Sequence, residues 1–262
     1  MSSFSRRSAV SAGIMLSGAA LLSACSSSSE SSSASSSSAA GSAASAGAQA
    51  SGASSASPVT SVSIPSASAS TESNPSSLLM IVNKRRPFAT KTWAPSDLVP
   101  FAGHQLRKEA AAAATAMMQA AQSAGVTVTV TSAYRSYDDQ VTTYNHWVSQ
   151  NGKAGADDVS ARPGYSEHQS GLAVDFASPE GCLLQECYED TSAGAWLAKN
   201  AHTYGFILRF PKDLKPVTGY AYEPWHFRYI GRENAAKYVS SGAKTFEEFT
   251  QTGAAPSYLG EE

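Results

Sequence analysis

The spacing of apolar residues changes period several times after residue 76, and each period predicts an element. "SSLLMIVNK", residues 76–84, is a short continuous apolar run ending in a basic turn, which predicts a strand. Residues 85–101 are punctuated by prolines and predict extended chain. Over 104–124 the residues Leu106, Ala110, Ala113, Met117 and Ala120 recur at helical spacing, so an Ala-rich helix is expected from His104 until Gly125 stops it. "VTVTVTSAY", residues 126–134, alternates Val with Thr and predicts a strand with one buried face. Ser136 or Asp138 caps a second helix, expected to run to about Gln150 and to end at Gly152. "LAVDF" predicts a strand that turns Leu172, Val174 and Phe176 to the core and Ala173 and Asp175 to the other face. A helix over 191–205, strands over 206–210 and 222–231, and two short helices, "RENAAKYVSSG" and "TFEEFTQTG", complete the domain. The class is α+β, a small and mainly antiparallel sheet flanked by helices.

Residues 1–77 carry no such periods. Arg6 and Arg7 precede an apolar run from Ala9 to Leu22, too short to span a bilayer, that reads as a secretory signal. It ends in "LSAC", which resembles the lipobox of bacterial lipoproteins, and that likeness implies that Cys25 becomes the lipidated first residue. The "SRR" start also fits a twin-arginine leader loosely. Of residues 26–77, 25 are Ser and only Glu30 and Glu72 are charged, so the segment cannot bury enough apolar surface to order itself. The expected organisation is a signal peptide over 1–25, a disordered linker over 26–77 with a reach of roughly 40 Å, and a folded domain over 78–262. This describes an extracytoplasmic, membrane-anchored lipoprotein at a bacterial cell envelope.

Charge and cysteine content narrow the chemistry. With 19 Lys and Arg against 21 Asp and Glu, the net charge is −2 and no basic stripe exists, which excludes nucleic acid as a partner. Cys182 and Cys187, in "GCLLQEC", predict a local disulfide in an oxidising compartment, since a structural zinc site would need two further soft ligands nearby.

The stretch "ARPGYSEHQSGLAVDFASP", residues 161–179, places Asp175 inside an apolar run, where a carboxylate is costly unless something binds it. His168 lies seven residues earlier, and a turn at "QSG" with Gly171 can bring the two together. Pro224 keeps "EPWH" out of a helix, so Glu223 and His226 can enter the same cavity. Two histidines and an aspartate are a natural set for Zn²⁺, with the fourth place left to water. A nearby glutamate outside the ligand set can act as general base. The competing reading is a polar network of the same four side chains without a metal.

"SEHQSGLAVD" followed by "EPWH" resembles the paired signature of VanY-type D-alanyl-D-alanine carboxypeptidases, zinc peptidases of the wider group that includes lysostaphin-type enzymes and the Hedgehog domain. "VTSAYRSYDDQ" and "VNKRRPF" are similar to upstream segments of that family, so the likeness spans most of residues 78–240. It implies a fold with the zinc site on one face, His168, Asp175 and His226 as zinc ligands, and Glu223 as the base. Arg135 would stabilise the oxyanion, and Gln140 and Ser166 would contact the substrate near its terminal carboxylate. Tyr134 and Trp225 would be walls. The glycine usual two residues before that arginine is Ala133 here. The implied activity is removal of the terminal D-alanine from peptidoglycan stem peptides by a monomer, on either a D,D or an L,D bond. A cross-link endopeptidase and a non-catalytic zinc-bearing wall-binding module are the alternatives, the latter disfavoured by Glu223 and Arg135. His104, His146 and His202 are expected to be ordinary helix residues, Asp157 and Asp158 a solvated loop, and Glu167 to face solvent or cap a turn. Tyr165 could line the pocket or merely pack.

Overall fold

The computed structural model describes residues 73–261. The expected leader with Cys25, and the linker as far as residue 72, lie outside the described residues. No helix among the described residues is long and apolar enough to cross a membrane.

Two antiparallel sheets form among the described residues. A hairpin pairs β1, Leu98–Phe101, with β2, His104–Arg107. A four-stranded sheet has the order β3, β4, β6, β5, with β3 at Thr129–Ser132, β4 at Ala173–Ala177, β6 at His226–Tyr229 and β5 at Phe206–Leu208. The helices are α1 (Lys108–Ser123), α2 (Tyr137–Val159), α3 (Ser192–Asn200), the single turn α4 (Lys215–Thr218), α5 (Arg232–Ser241) and α6 (Phe246–Thr250). The expected α+β class with a small antiparallel sheet is what forms.

Several elements differ from the sequence reading, each for a physical reason. His104 lies in β2, not at a helix start, because Ala102 and Gly103 (φ 46° and 83°) make a two-residue turn with both centres left-handed, the geometry that tight hairpins require. Met80 to Lys84 are buried, but the run 76–84 makes only an isolated bridge, Asn83 to Arg86, and not a strand. Its carbonyls at Leu78 and Met80 accept from the Arg228 guanidinium, at 3.1 and 2.7 Å, instead of from a neighbouring strand. Gly152 (φ 68°) kinks α2 without ending it, and helix resumes to Val159. Asp157 is therefore no solvated loop residue: it accepts from Tyr144 Oη at 2.8 Å and pairs with Arg162 at 2.7 Å. Ser136 caps α2 as expected, its hydroxyl accepting from Asp139 N at 3.1 Å.

The alternation along the central strands sorts two faces. Leu172, Val174, Phe176, Phe227, Tyr229 and Phe206 join the main apolar core with α1 and α3. Asp175, His226 and Arg228 point to the opposite face, where Ile81, Ile207, Ile230, Phe246 and Phe249 form a second cluster. Gly171 connects the His168 turn to β4 at φ 66° and ψ 19°. A Cβ there would stand 3.0–3.1 Å from Arg107, Leu98 and Pro95. Gly171→Ala is expected to destabilise by about 1–2 kcal/mol from the left-handed backbone alone, read as a melting temperature lower by roughly 2–8 °C. An unchanged melting temperature would contradict this.

Candidate active site

Each side chain of the site is placed by a local feature. Asp175 and His226 are direct cross-strand partners in the β4–β6 register, so their side chains share one face at close range. His168 sits in a short 3₁₀ turn, Glu167–Ser170, that internal hydrogen bonds hold rigid. Ser166 Oγ accepts from His168 N at 3.3 Å, and Ser170 Oγ donates to the Glu167 carbonyl at 2.5 Å. Gln169 Nε2 donates to the carbonyls of Lys91 and Trp93 at 2.6 and 2.9 Å, tying the extended segment to the turn. The chain leaving β3 runs beside this turn, with Arg135 N donating to the His168 carbonyl at 3.3 Å. Glu223 and His226 are joined by a backbone bond, His226 N to the Glu223 carbonyl at 3.1 Å, in the turn that Pro224 permits.

The donor atoms converge. His168 Nδ1 lies 2.6 Å from the Ala133 carbonyl, which requires the proton on that nitrogen and leaves Nε2 with its lone pair towards Asp175 Oδ2, 3.2 Å away. Asp175 Oδ1 lies 2.9 Å from His226 Nδ1. One ligand atom from each of the three residues falls within 4.8 Å of the others. The two short separations are near the ~3.3 Å edge of a tetrahedron with zinc bonds of 2.0–2.1 Å. Burial pushes the His168 imidazole down, which favours the neutral form a metal needs, although Asp175 pulls the other way. Burial alone would raise the Asp175 carboxyl, but His168 and His226 hold it well below the ordinary range. The donor set and the His168 tautomer fit a zinc ion.

Glu223 stands beside this cluster, its Oε2 3.7 Å from His226 Nδ1. Burial raises its carboxyl to about 7, with Asp175 adding and His226 opposing. The Arg135 Nε is buried without a hydrogen-bond partner, so the guanidinium has donor capacity left over. Ser166 lines the same cavity, and its hydroxyl proton is free to donate because Oγ serves only as acceptor from His168. Gln140 is different: its Nε2 donates to Ser160 Oγ at 3.2 Å and to the Ala161 carbonyl at 2.7 Å, and its Oε1 is buried without a partner. That amide offers an acceptor to the cavity, not a donor to a carboxylate.

The cavity holds about 500 Å³ and is also lined by Trp147, Tyr165, Phe210, Tyr220 and Trp225. The Phe210 ring lies 4.9 Å from the His226 imidazole. Cys182 and Cys187 form the expected disulfide, and between them Leu183 and Leu184 reach the cavity rim at 55% and 41% exposure, with Val159 also at the rim at 45%. Of the other histidines, His146 lies in α2 and His202 in a 3₁₀ turn after α3, away from the cluster.

Glu167 departs most from expectation. It is buried, and Arg209 and Arg228 bond to one of its oxygens at 2.8 and 3.0 Å. Burial alone would raise its carboxyl, but the two guanidiniums hold it far below the ordinary range. Neither arginine was singled out in the sequence. The one available signal was an arginine in each of two largely apolar runs, "FILRF" and "HFRYI".

Known proteins resemble this chain in sequence and fold. A family model described as VanY, D-alanyl-D-alanine carboxypeptidase, matches residues 103–232. The chain is 40% identical over 190 residues to the putative carboxypeptidase YodJ of Bacillus subtilis (strain 168), covering 68% of this chain and 69% of that protein. Among solved structures it is similar to the LdcB LD-carboxypeptidase, at 38% identity and a TM-score of 0.63, over 68% of this chain and 87% of that one. It is also similar to a mutant of the vancomycin resistance D,D-pentapeptidase VanY solved in complex with Zn(II), at 31% identity and a TM-score of 0.57, over 65% of this chain and 97% of that one.

Proposed function

The chain belongs to the VanY family of D-alanyl-D-alanine carboxypeptidases, and from that membership we propose that it removes the C-terminal D-alanine from peptidoglycan stem peptides, with a zinc ion held by His168, Asp175 and His226. The observation that carries this reading is the convergence of those three donors beside Glu223 on the wall of one cavity.

A bound zinc ion would supply Lewis-acid activation of water and of the scissile carbonyl. Glu223 takes a proton from the attacking water and delivers it to the leaving amine of D-alanine. Arg135 spends its unpartnered N–H on the oxygen that gains charge as the carbonyl becomes tetrahedral. The Ser166 hydroxyl donates to the terminal carboxylate, and Gln140 Oε1 accepts from a peptide N–H. Trp147, Val159, Leu183 and Leu184 give an apolar rim on which the upstream part of the stem can lie.

The amino-terminal sequence supports the setting. A lipidated Cys25 and the Ser-rich linker over 26–77 would hold the folded domain, residues 78–262, on a leash at the outer face of the membrane and within reach of the wall.

Purified protein incubated with pentapeptide and tetrapeptide stems is expected to release D-alanine from at least one of them. Chelation should stop release, and added zinc should restore it. Release from only one stem assigns D,D or L,D specificity. Release that survives complete zinc removal, or no release from either stem, overturns the reading.

A further inference from the structure

Behind the three ligand candidates lies a group of buried charges that the proposed chemistry does not use. Glu167, Arg209, Arg228 and Glu247 are all buried, the two arginines at 0% exposure. Arg209 donates Nε to Glu167 Oε1 at 2.8 Å, and its two terminal nitrogens to the Glu247 carboxylate at 2.9 and 2.6 Å. Arg228 donates Nη1 to the same Glu167 oxygen at 3.0 Å, Nη2 to the carbonyls of Leu78 and Met80, and Nε to the Tyr229 carbonyl at 3.1 Å. All three nitrogens of each guanidinium are engaged, so both are fixed in place. Two positive and two negative groups make the set neutral on its own. Glu167 can therefore stay anionic without any charge on His226.

One oxygen of this set remains. Glu167 Oε2 is buried without a hydrogen-bond partner, and so is His226 Nε2. The two atoms face each other across 3.6 Å. On the other side of the ring, Nδ1 faces Asp175. A neutral imidazole carries one N–H and one lone pair. With the proton on Nε2, a closure of about half an ångström gives a hydrogen bond that satisfies both orphaned atoms, and the Nδ1 lone pair is turned to the cluster. With the proton on Nδ1, that nitrogen donates to Asp175 at 2.9 Å, which suits the metal-free protein. It also blocks the nitrogen that a metal between the two would need and leaves the Nε2 lone pair against the Glu167 carboxylate.

We propose that Glu167 is a positioning residue for the metal centre: its free oxygen receives the Nε2 proton of His226 and so fixes that imidazole with Nδ1 as the donor. The inference rests on the zinc reading given above. Carboxylates in this outer position orient ligating imidazoles and strengthen them as donors, and their loss typically lowers metal affinity 10- to 100-fold. Glu167→Gln is a sharp probe. Its amide oxygen would remain with the arginines, which donate, and its NH₂ would face Nε2 and donate to it. That selects the opposite tautomer and places a proton on Nδ1.

A purely structural role, tying α6 to the sheet, predicts something else, and Glu247 separates the two. Glu247 belongs to the same buried set but touches no ligand. Zinc dissociation constants should be measured for the full chain by competition with a chromophoric chelator, alongside thermal melting. Glu167→Gln is expected to weaken zinc binding about 10- to 100-fold, whereas Glu247→Gln lowers the melting temperature and leaves zinc affinity unchanged. The proposal is overturned if Glu167→Gln binds zinc as tightly as the parent, or if Glu247→Gln weakens binding equally. If Glu167→Gln does not fold, ¹⁵N NMR of the zinc-loaded parent decides: a proton on His226 Nε2 supports the assignment and a proton on Nδ1 removes it. A parent chain that binds no zinc at all removes the underlying zinc reading as well, and so distinguishes the two failures.

Discussion

Glu223→Gln is expected to lower kcat for D-alanine release by roughly two to four orders of magnitude while zinc content stays that of the parent, the range typical for loss of a general base. The carboxylate lies beside the ligand cluster but outside it, with Oε2 3.7 Å from His226 Nδ1 and only 15% of the side chain exposed. Burial raises it to about 7 in the metal-free protein, and its place beside the cluster puts it within reach of a water held there. Glutamine keeps the volume and the backbone turn, whose bonds run through Glu223 N and O and not the side chain. Stability should not follow activity. A carboxyl raised from 4.5 to about 7 in the folded, metal-free protein binds its proton more tightly than the unfolded chain does, so stability is lost as pH rises through that window. The glutamine variant lacks that loss, and at pH 8 its metal-free form is expected to melt no lower than metal-free parent. A variant that is inactive because it has shed zinc, or because it melts far below the parent, would remove Glu223 from the role of base.

The site was legible where its signals were local. An aspartate among apolar residues, a histidine one turn before it and a glutamate held by proline each break a local rule, and the structure brings all of them to one cavity wall. The cap of α2 was legible for the same reason, since Ser136 accepts from a backbone group three residues on. Glu167 was not legible, because its partners Arg209 and Arg228 lie 42 and 61 residues away and nothing near it in sequence foretells burial. The expected strand at 76–84 failed through the same long-range pairing, since Arg228 takes the carbonyls a neighbouring strand would have used. In α1 the buried set is Ala110, Ala111, Ala114, Met117 and Ala121, not the row through Ala113 and Ala120. A helix that is mostly alanine offers little contrast between its faces, so its rotation is set by what it packs against.

Asp175→Asn is expected to abolish zinc retention and to bring D-alanine release down to the level of chelated parent protein. The register sets Asp175 directly opposite His226, and its two oxygens lie 2.9 Å from His226 Nδ1 and 3.2 Å from His168 Nε2. Asparagine keeps the shape but supplies one neutral oxygen and one NH₂. The NH₂ donates to whichever imidazole nitrogen it meets and occupies a lone pair that the metal needs. The carboxylate's charge, which helps to hold a divalent cation between two neutral imidazoles, is lost at the same time. The fold should persist, because β4 is held by backbone ladders to β3 and β6 and by Leu172, Val174 and Phe176 in the core. Differential melting makes this decisive. A ligand at 100 times its Kd stabilises the parent by about 2.7 kcal/mol, which for a domain of this size raises the melting temperature by roughly 5–11 °C. Parent protein should show that rise on zinc addition, and Asp175→Asn should show none while unfolding cooperatively near the metal-free parent. If the asparagine variant still gains stability from zinc and still releases D-alanine at the parental rate, Asp175 is not a ligand, and its place in the apolar strand must be explained by its two histidine bonds alone.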